Sequence, residues 1–198
     1  MATPNKILMA QARESLSGHW GLAVGTYFLY FLIMGATGAI HNAGSIITLL
    51  VGGAFTLGIT TFALAIARKE EAKLEMIFSG FKYYGKTLGL YLLITLFVLL
   101  WMLLLIVPGI IAAISYGLAF YLMSDSPNIG VMEAIDKSKK MMYGYKWKYF
   151  CLGLRFIGWA ILGILSLGIG FLWICPYISI SYAKFYEDVK ANYVEEVQ

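Results

Sequence analysis

Six apolar stretches, separated by short gaps and turns, leave this chain little choice of surroundings. They run over residues 21–40, 46–67, 87–107, 109–123, 149–167 and 168–183. The first three have the roughly 20 residues that a helix needs to cross the hydrocarbon core of a bilayer, and the fourth and sixth are short. Of 198 residues, 60% are hydrophobic and only 13% charged, whereas a soluble domain is about half apolar and about a quarter charged. A mean hydropathy of +0.76 agrees, so lipid is the expected solvent for most of the chain. A soluble globular domain, a disordered chain, a collagen, a disulfide scaffold and a nucleic-acid module are thereby excluded. The two cysteines, Cys151 and Cys175, sit inside apolar runs and read as small buried hydrophobes. Lys6 and Arg13 precede the first run, but that run is long enough to span and no A-x-A-type cleavage site follows it, so no cleaved signal peptide is expected.

Charge decides how the runs are connected. Arg68, Lys69, Lys73, Lys82 and Lys86 fill the gap after the second run, and Lys137, Lys139, Lys140, Lys146 and Lys148 the gap after the fourth. If runs three and four made one span, these basic loops would face opposite sides and break the positive-inside rule. That single helix would also be about 54 Å long against a core of about 30 Å. A hairpin turning at Pro108-Gly109 resolves both conflicts, and Ser166-Leu167-Gly168 supplies a similar turn between runs five and six. The fold class is therefore an all-α polytopic membrane protein with six transmembrane helices in three hairpins, both termini cytoplasmic. The outer connections, at 41–45, 108–109 and 166–168, carry no Lys, Arg, Asp or Glu. Residue 43 is thus expected outside and residues 72 and 138 in the cytoplasm.

An internal repeat emerges at a shift of 64 residues, which superimposes Gly25, Gly89 and Gly153, and Phe28, Leu92 and Phe156. The chain then reads as a single membrane domain of three units, about 1–67, 68–125 and 126–190, with 191–198 as a cytoplasmic tail. The twofold echo is the firmer one, with Ser115-Tyr116 and Phe120-Tyr121 beside Ser181-Tyr182 and Phe185-Tyr186. Each unit opens with an amphipathic segment, at 7–16, 74–81 and 129–142, expected to lie on the inner leaflet as a cytoplasmic amphipathic helix. In the last, Val131, Ile135 and Met142 share one face, and Ser126-Pro127-Asn128 offers turn and capping chemistry before it. Trp20, Tyr83, Tyr84, Tyr143, Tyr145, Trp147 and Tyr149 crowd the same level as an interfacial aromatic belt.

The stretches Gly18-His19-Trp20-Gly21-Leu22-Ala23-Val24-Gly25, Phe78-Ser79-Gly80-Phe81-Lys82-Tyr83-Tyr84-Gly85-Lys86 and Pro108-Gly109-Ile110-Ile111, together with Ile129-Gly130-Val131-Met132-Glu133-Ala134-Ile135 and the closing Phe185-Tyr186-Glu187-Asp188, carry a resemblance. In that order they resemble the bacterial integral-membrane family catalogued as domain of unknown function 975, over nearly the whole chain. The resemblance implies a multi-pass protein of the bacterial plasma membrane, most often of Gram-positive bacteria of the Firmicutes type. It implies no reaction, cofactor or ligand.

Four features could carry function. Arg155 is the one charge set well inside a span, about 9 Å from its cytoplasmic end by helical rise. It reads either as an anchor pairing with Asp125 or another inner carboxylate, or as an intramembrane contact for an anion or headgroup. Gly21, Gly25, Gly85, Gly89 and Gly153 are candidate helix-packing positions, the first four in small-xxx-small spacing, with gating as the sharper alternative. Pro176 is a candidate kink that frees a carbonyl near Leu172. Lys137, Lys139, Lys140, Lys146 and Lys148 are candidate anionic-lipid contacts, or simply the positive-inside charge.

No catalytic, cofactor-binding or metal-binding set is found: no H-E-x-x-H, G-x-S-x-G, phosphate loop or Cys/His cluster occurs, and His19 and His41 fall on opposite sides. The expected function is non-enzymatic, a lipid- or partner-binding accessory or envelope factor whose partners are membrane lipids, a membrane protein or a second copy of the chain. The alternative is a transporter or channel-like protein for a small or amphiphilic solute.

Overall fold

The computed structural model describes residues 3–38 and 44–197, and among these it is helical with no strand. The elements are α1 (Asn5–Leu16), α2 (Trp20–Gly38), α3 (Gly44–Arg68), a 3-10 segment (Leu74–Tyr83), α4 (Tyr84–Leu104), α5 (Ile106–Tyr116), α6 (Ala119–Asp125), α7 (Val131–Met141), α8 (Lys146–Arg155), α9 (Ile157–Leu165) and α10 (Phe171–Val197). Five stretches are long and apolar enough to cross a membrane: Trp20–Thr37, Gly44–Arg68, Leu74–Leu104, Ile106–Asp125 and Lys146–Leu165. The sixth apolar run forms the first half of α10, whose second half carries Lys184, Glu187, Asp188 and Lys190. Its apolar part is too short to count by length and composition alone.

α3 is the axis of the bundle, buried over 67% of its apolar window against 17% for α2 and 11% for Leu74–Leu104. Its small residues make this possible. The 3-10 segment crosses it so closely that a Cβ on Gly58 would fall on the Ile77 backbone carbonyl, and one on Gly80 on the Ala54 carbonyl. Gly53 meets α4 in the same manner, with the Thr87 carbonyl 2.5 Å from where its Cβ would be. Around this axis one apolar core joins α1, α2, α3, α8 and α10 with Tyr121 and Leu122 of α6 and Met141 of α7, and a second joins α4 through α7 with Leu57 of α3. Toward the other surface, Leu99 to Val107 and Ile161, Leu162, Ile164, Leu165, Leu167 and Ile169 stand exposed. That apolar expanse is one that water does not tolerate and lipid does.

The α4–α5 turn differs from the sequence reading. The chain reverses at Leu105, which is extended (φ −162°, ψ 143°), and Pro108 and Gly109 lie inside the first turns of α5. A proline there loses nothing, since the first helical N–H groups have no intrahelical acceptor. Gly109 then lets α5 press against Met102, and Tyr116 meets Phe97 at 6.2 Å, so the two helices run antiparallel. The turn at residues 166–170 stands where the sequence placed it, with Leu167 at φ 55° and Gly168 at φ 88°. Ser166 Oγ accepts the Gly170 N–H at 2.8 Å. Of the first outer connection, Gly44 and Ser45 already belong to α3, and 41–43 lie outside the described residues.

Two of the three lead-in segments also differ from expectation, because protein covers most of the apolar faces of α1 and α7, whereas the 3-10 segment buries Ile77 and leaves Leu74, Phe78 and Phe81 exposed. α1 buries Leu8, Ala12 and Leu16 in the first core, and α7 buries Ala134 and Ile135 in the second and Met141 in the first. α7 is capped at Gly130, whose N–H lies 3.4 Å from Glu133 Oε2, rather than by Asn128. Ser138, fully buried, donates to the Ser115 carbonyl at 2.8 Å and accepts from the Leu118 N–H at 3.2 Å. It thus satisfies backbone groups where α5 gives way to α6.

Candidate functional site

The polar ends of the helices gather in one layer. Arg68 closes α3, Asp125 closes α6, and helical spacing puts Tyr186, Glu187 and Lys190 of α10 opposite both. Arg68 reaches Asp125 at 2.7 Å and Glu187 at 2.6 Å, while Asp125 also accepts from Lys190 at 2.5 Å and from the Tyr186 hydroxyl at 2.7 Å. Beside this cluster Asp188 accepts from Lys148 at 2.6 Å and from the N–H and hydroxyl of Thr3 at 3.1 and 2.5 Å. Burial pushes the Asp188 carboxyl up, but those hydrogen bonds from Lys148 and Thr3 outweigh it and hold it below the ordinary carboxylate value. Lys69 meets Glu14 of α1 at 2.7 Å, and Lys184 donates to the Ala67 carbonyl at the end of α3. Lys86 reaches the Pro127 carbonyl at 3.1 Å. These contacts tie Thr3 and the ends of α1, α3, α4, α6, α8 and α10 into one charged rim.

Just below the rim, a groove of about 460 Å³ runs along α5. At its upper end stand Lys139, Tyr143 and Lys146; its lower wall is Trp101, Pro108 and Ile111, with Ser115 and Tyr116 between. Lys139 lies 5.6 Å from the centre of the Tyr116 ring and 3.7 Å from Asp136, a loose pair exposed to solvent. From Ser115 to Pro108 the groove follows about 10 Å of helix, a large part of one leaflet's depth. Two cations above an apolar channel suit an anionic head with an acyl chain.

Among the described residues no three His, Cys, Asp or Glu side chains come together as metal ligands. One family model, described as Protein of unknown function (DUF975), matches residues 1–120 and 102–193. The chain belongs to that family. No curated protein and no solved structure matches it. The functional reading of this DUF975 member therefore rests on its own side chains.

Those side chains redistribute the sequence candidates. Arg155 ends α8 exposed and, among the described residues, without an ion pair, and the expected partner Asp125 is taken by Arg68 and Lys190. Gly21, Gly25 and Gly85 have open space where a Cβ would project, and Gly89 has only an ordinary contact with Val131 at 3.6 Å. Within this chain they are not packing seams. Gly153 is one, since its Cβ would stand 2.9 Å from the Tyr182 hydroxyl. Pro176 is buried in α10, which continues as one helix on either side of it. Of the five lysines, Lys148 is consumed by Asp188, Lys139 and Lys146 flank the groove, and Lys137 and Lys140 are exposed outside it. Sequence reasoning passed over Arg68, Glu187 and Lys190. The available signal was position: Arg68 directly follows the second apolar run, and Glu187 and Lys190 fall within the next two helical turns after the sixth.

Proposed function

We propose that this protein is a non-enzymatic, six-span protein of the bacterial plasma membrane that binds anionic lipid at its cytoplasmic rim. The observation that carries the reading is the groove along α5, with Lys139 and Lys146 above Trp101, Pro108 and Ile111. A phosphate between the two ammonium groups and a chain along α5 would satisfy both halves. Topology supports it: the contacts Lys86 to Pro127, Lys69 to Glu14 and Lys148 to Asp188 put both basic loops and the amino-terminal segment on one face, which the positive-inside rule makes cytoplasmic. The order of elements, a short lead-in helix before each pair of apolar segments, supports the threefold repeat.

The test uses purified protein in nanodiscs, with native mass spectrometry of retained phosphatidylglycerol against phosphatidylcholine. Lys139→Gln with Lys146→Gln is expected to cut phosphatidylglycerol retention about fivefold or more, on the scale of about 1 kcal/mol per basic residue near an anionic surface. Lys137→Gln with Lys140→Gln, equal in charge but outside the groove, is expected to change it little. Equal losses in the two double variants would mean diffuse attraction to the rim and would remove the site.

A further inference from the structure

A second concavity, of about 290 Å³, opens between α1, α2, α9 and α10 and shares no residue with the α5 groove. Its lining is Arg13, Trp20, Trp159, Trp173, Ile174 and Tyr177. Along α10, Tyr177 lies about 10 Å and Trp173 about 16 Å from Lys184 at the rim by helical rise, so the recess descends to acyl-chain depth. Trp159 and Trp173 are 40% and 49% exposed, which leaves its outer side open to lipid. Tryptophans of membrane proteins gather at the water interface. Trp173 stands well below it, as part of a recess wall.

The charge in this recess is uncompensated. The Arg13 guanidinium carbon lies 5.7 Å from the centre of the Tyr177 ring, and Trp159 meets the same ring edge-on at 6.1 Å. An aromatic face steadies a guanidinium but does not cancel its charge. Among the described residues Arg13 has no carboxylate within ion-pair distance: its neighbour Glu14 is spent on Lys69 at 2.7 Å, and Asp188 on Lys148 at 2.6 Å. No acidic side chain lines the recess. An occupant of matching chemistry therefore brings one negative charge for the guanidinium and an apolar body for the indoles. A carboxylate meets a single guanidinium with two parallel hydrogen bonds and an equal, opposite charge. A head of higher charge would be left partly unpaired, because the recess holds no second cation.

We propose that this recess binds a long-chain carboxylate of the fatty-acid type, its head on Arg13 and its first methylenes against Tyr177, Trp159 and Trp173. The volume is just below the usual range for small-molecule sites, so it suits one chain rather than two, with the remainder of that chain lying in the bilayer. This site stands independently of the α5 groove, where two ammonium groups above Trp101 meet a phosphate-bearing lipid.

The recess holds three of the five tryptophans of the chain, so fluorescence reports its occupancy. The full chain in phosphatidylcholine nanodiscs, in alkaline buffer that keeps the carboxylate ionised, is titrated with dibromostearate, whose bromines quench indoles on contact. Saturable quenching is expected, relieved by oleate and about tenfold less effectively by methyl oleate or lysophosphatidylglycerol, the loss of a charge-assisted hydrogen bond setting that scale. Arg13→Gln is expected to weaken binding by a similar factor, about tenfold. Lys6→Gln, an equal charge change at an exposed position of the same helix, is expected to leave it unchanged. Trp159→Phe with Trp173→Phe should remove most of the quenched signal. The comparison of oleate with methyl oleate needs no variant and decides alone should Arg13→Gln fold poorly. Equal competition by methyl oleate or by lysophosphatidylglycerol, or full affinity in a folded Arg13→Gln, overturns the proposal. So does quenching that is lost in Lys139→Gln with Lys146→Gln, which would make Trp101 of the α5 groove the reporter.

Discussion

At the scale of single residues, the charges that matter are those whose partners are far away in sequence. Arg155 stands out on paper because it interrupts an apolar run, yet it ends exposed. Asp125, at the end of a run, meets Arg68 57 residues earlier and Lys190 65 residues later. Hydropathy and local spacing carry no information about such pairings, which exist only once α3, α6 and α10 converge. The same holds for Asp188, whose partners Thr3 and Lys148 are 185 and 40 residues away. Its consequence for stability can be signed. The folded-state pKa lies below the unfolded value of 3.8, so between the two the unfolded chain binds more protons and stability rises with pH. The contribution is therefore complete above about pH 4, declines as the pH falls through the folded value, and is absent below it. Asp188→Asn is expected to cost about 2 kcal/mol near neutral pH, less than a fully buried pair because Lys148 is partly reached by water. Thermal unfolding in nanodiscs between about pH 7 and about pH 3 checks both statements. The native chain should lose stability toward acid more steeply than the variant, and parallel profiles would refute the assignment.

At the scale of elements, helical periodicity located nearly every helix but misjudged how they touch. Gly21-xxx-Gly25 has the spacing of a packing motif and faces open space, whereas at the crossing of α3 and the 3-10 segment Gly58 admits the Ile77 backbone and Gly80 the Ala54 backbone. No spacing rule covers that pair, because one partner lies in a 3-10 segment whose chain direction periodicity does not report. Likewise the hairpin turns at Leu105, an ordinary apolar residue, while the turn-forming Pro108-Gly109 lies inside α5. Glycines pressed against a backbone and glycines facing open space predict opposite responses. Gly58→Ala drives a methyl onto a backbone carbonyl that cannot step aside, and is expected to cost more than about 3 kcal/mol or to prevent folding. Gly25→Ala adds a methyl in empty space within a helix and is expected to stabilise by up to about 1 kcal/mol. Yield of monodisperse protein and its unfolding temperature distinguish them, and a Gly25→Ala loss matching that of Gly58→Ala would show that Gly25 meets a surface this chain does not itself provide.

At the scale of the whole molecule, the distribution of charge was the most legible feature, because the cost of placing Lys and Arg in lipid acts on each loop separately and needs no knowledge of packing. The contacts among the rim residues agree with a one-sided arrangement, since a loop on the far face could not place Lys69 against Glu14 or Lys86 against the Pro127 carbonyl. The apolar turns at Leu105 and at Leu167, which is 93% exposed, then belong to the opposite face. Single cysteines test this, but the positions must be reachable. Residue 138 is a fully buried serine and residue 72 packs against the core, so Lys137→Cys and Glu71→Cys, both exposed, report better. In intact cells an impermeant maleimide is expected to spare both and to label Leu167→Cys, and permeabilisation should expose the first two. Labelling Glu71→Cys and Lys137→Cys from opposite sides would mean that Leu74–Leu104 and Ile106–Asp125 do not return the chain to the face it left. The shared rim, and with it the proposal of a cytoplasmic lipid site in the α5 groove, would then have to be abandoned.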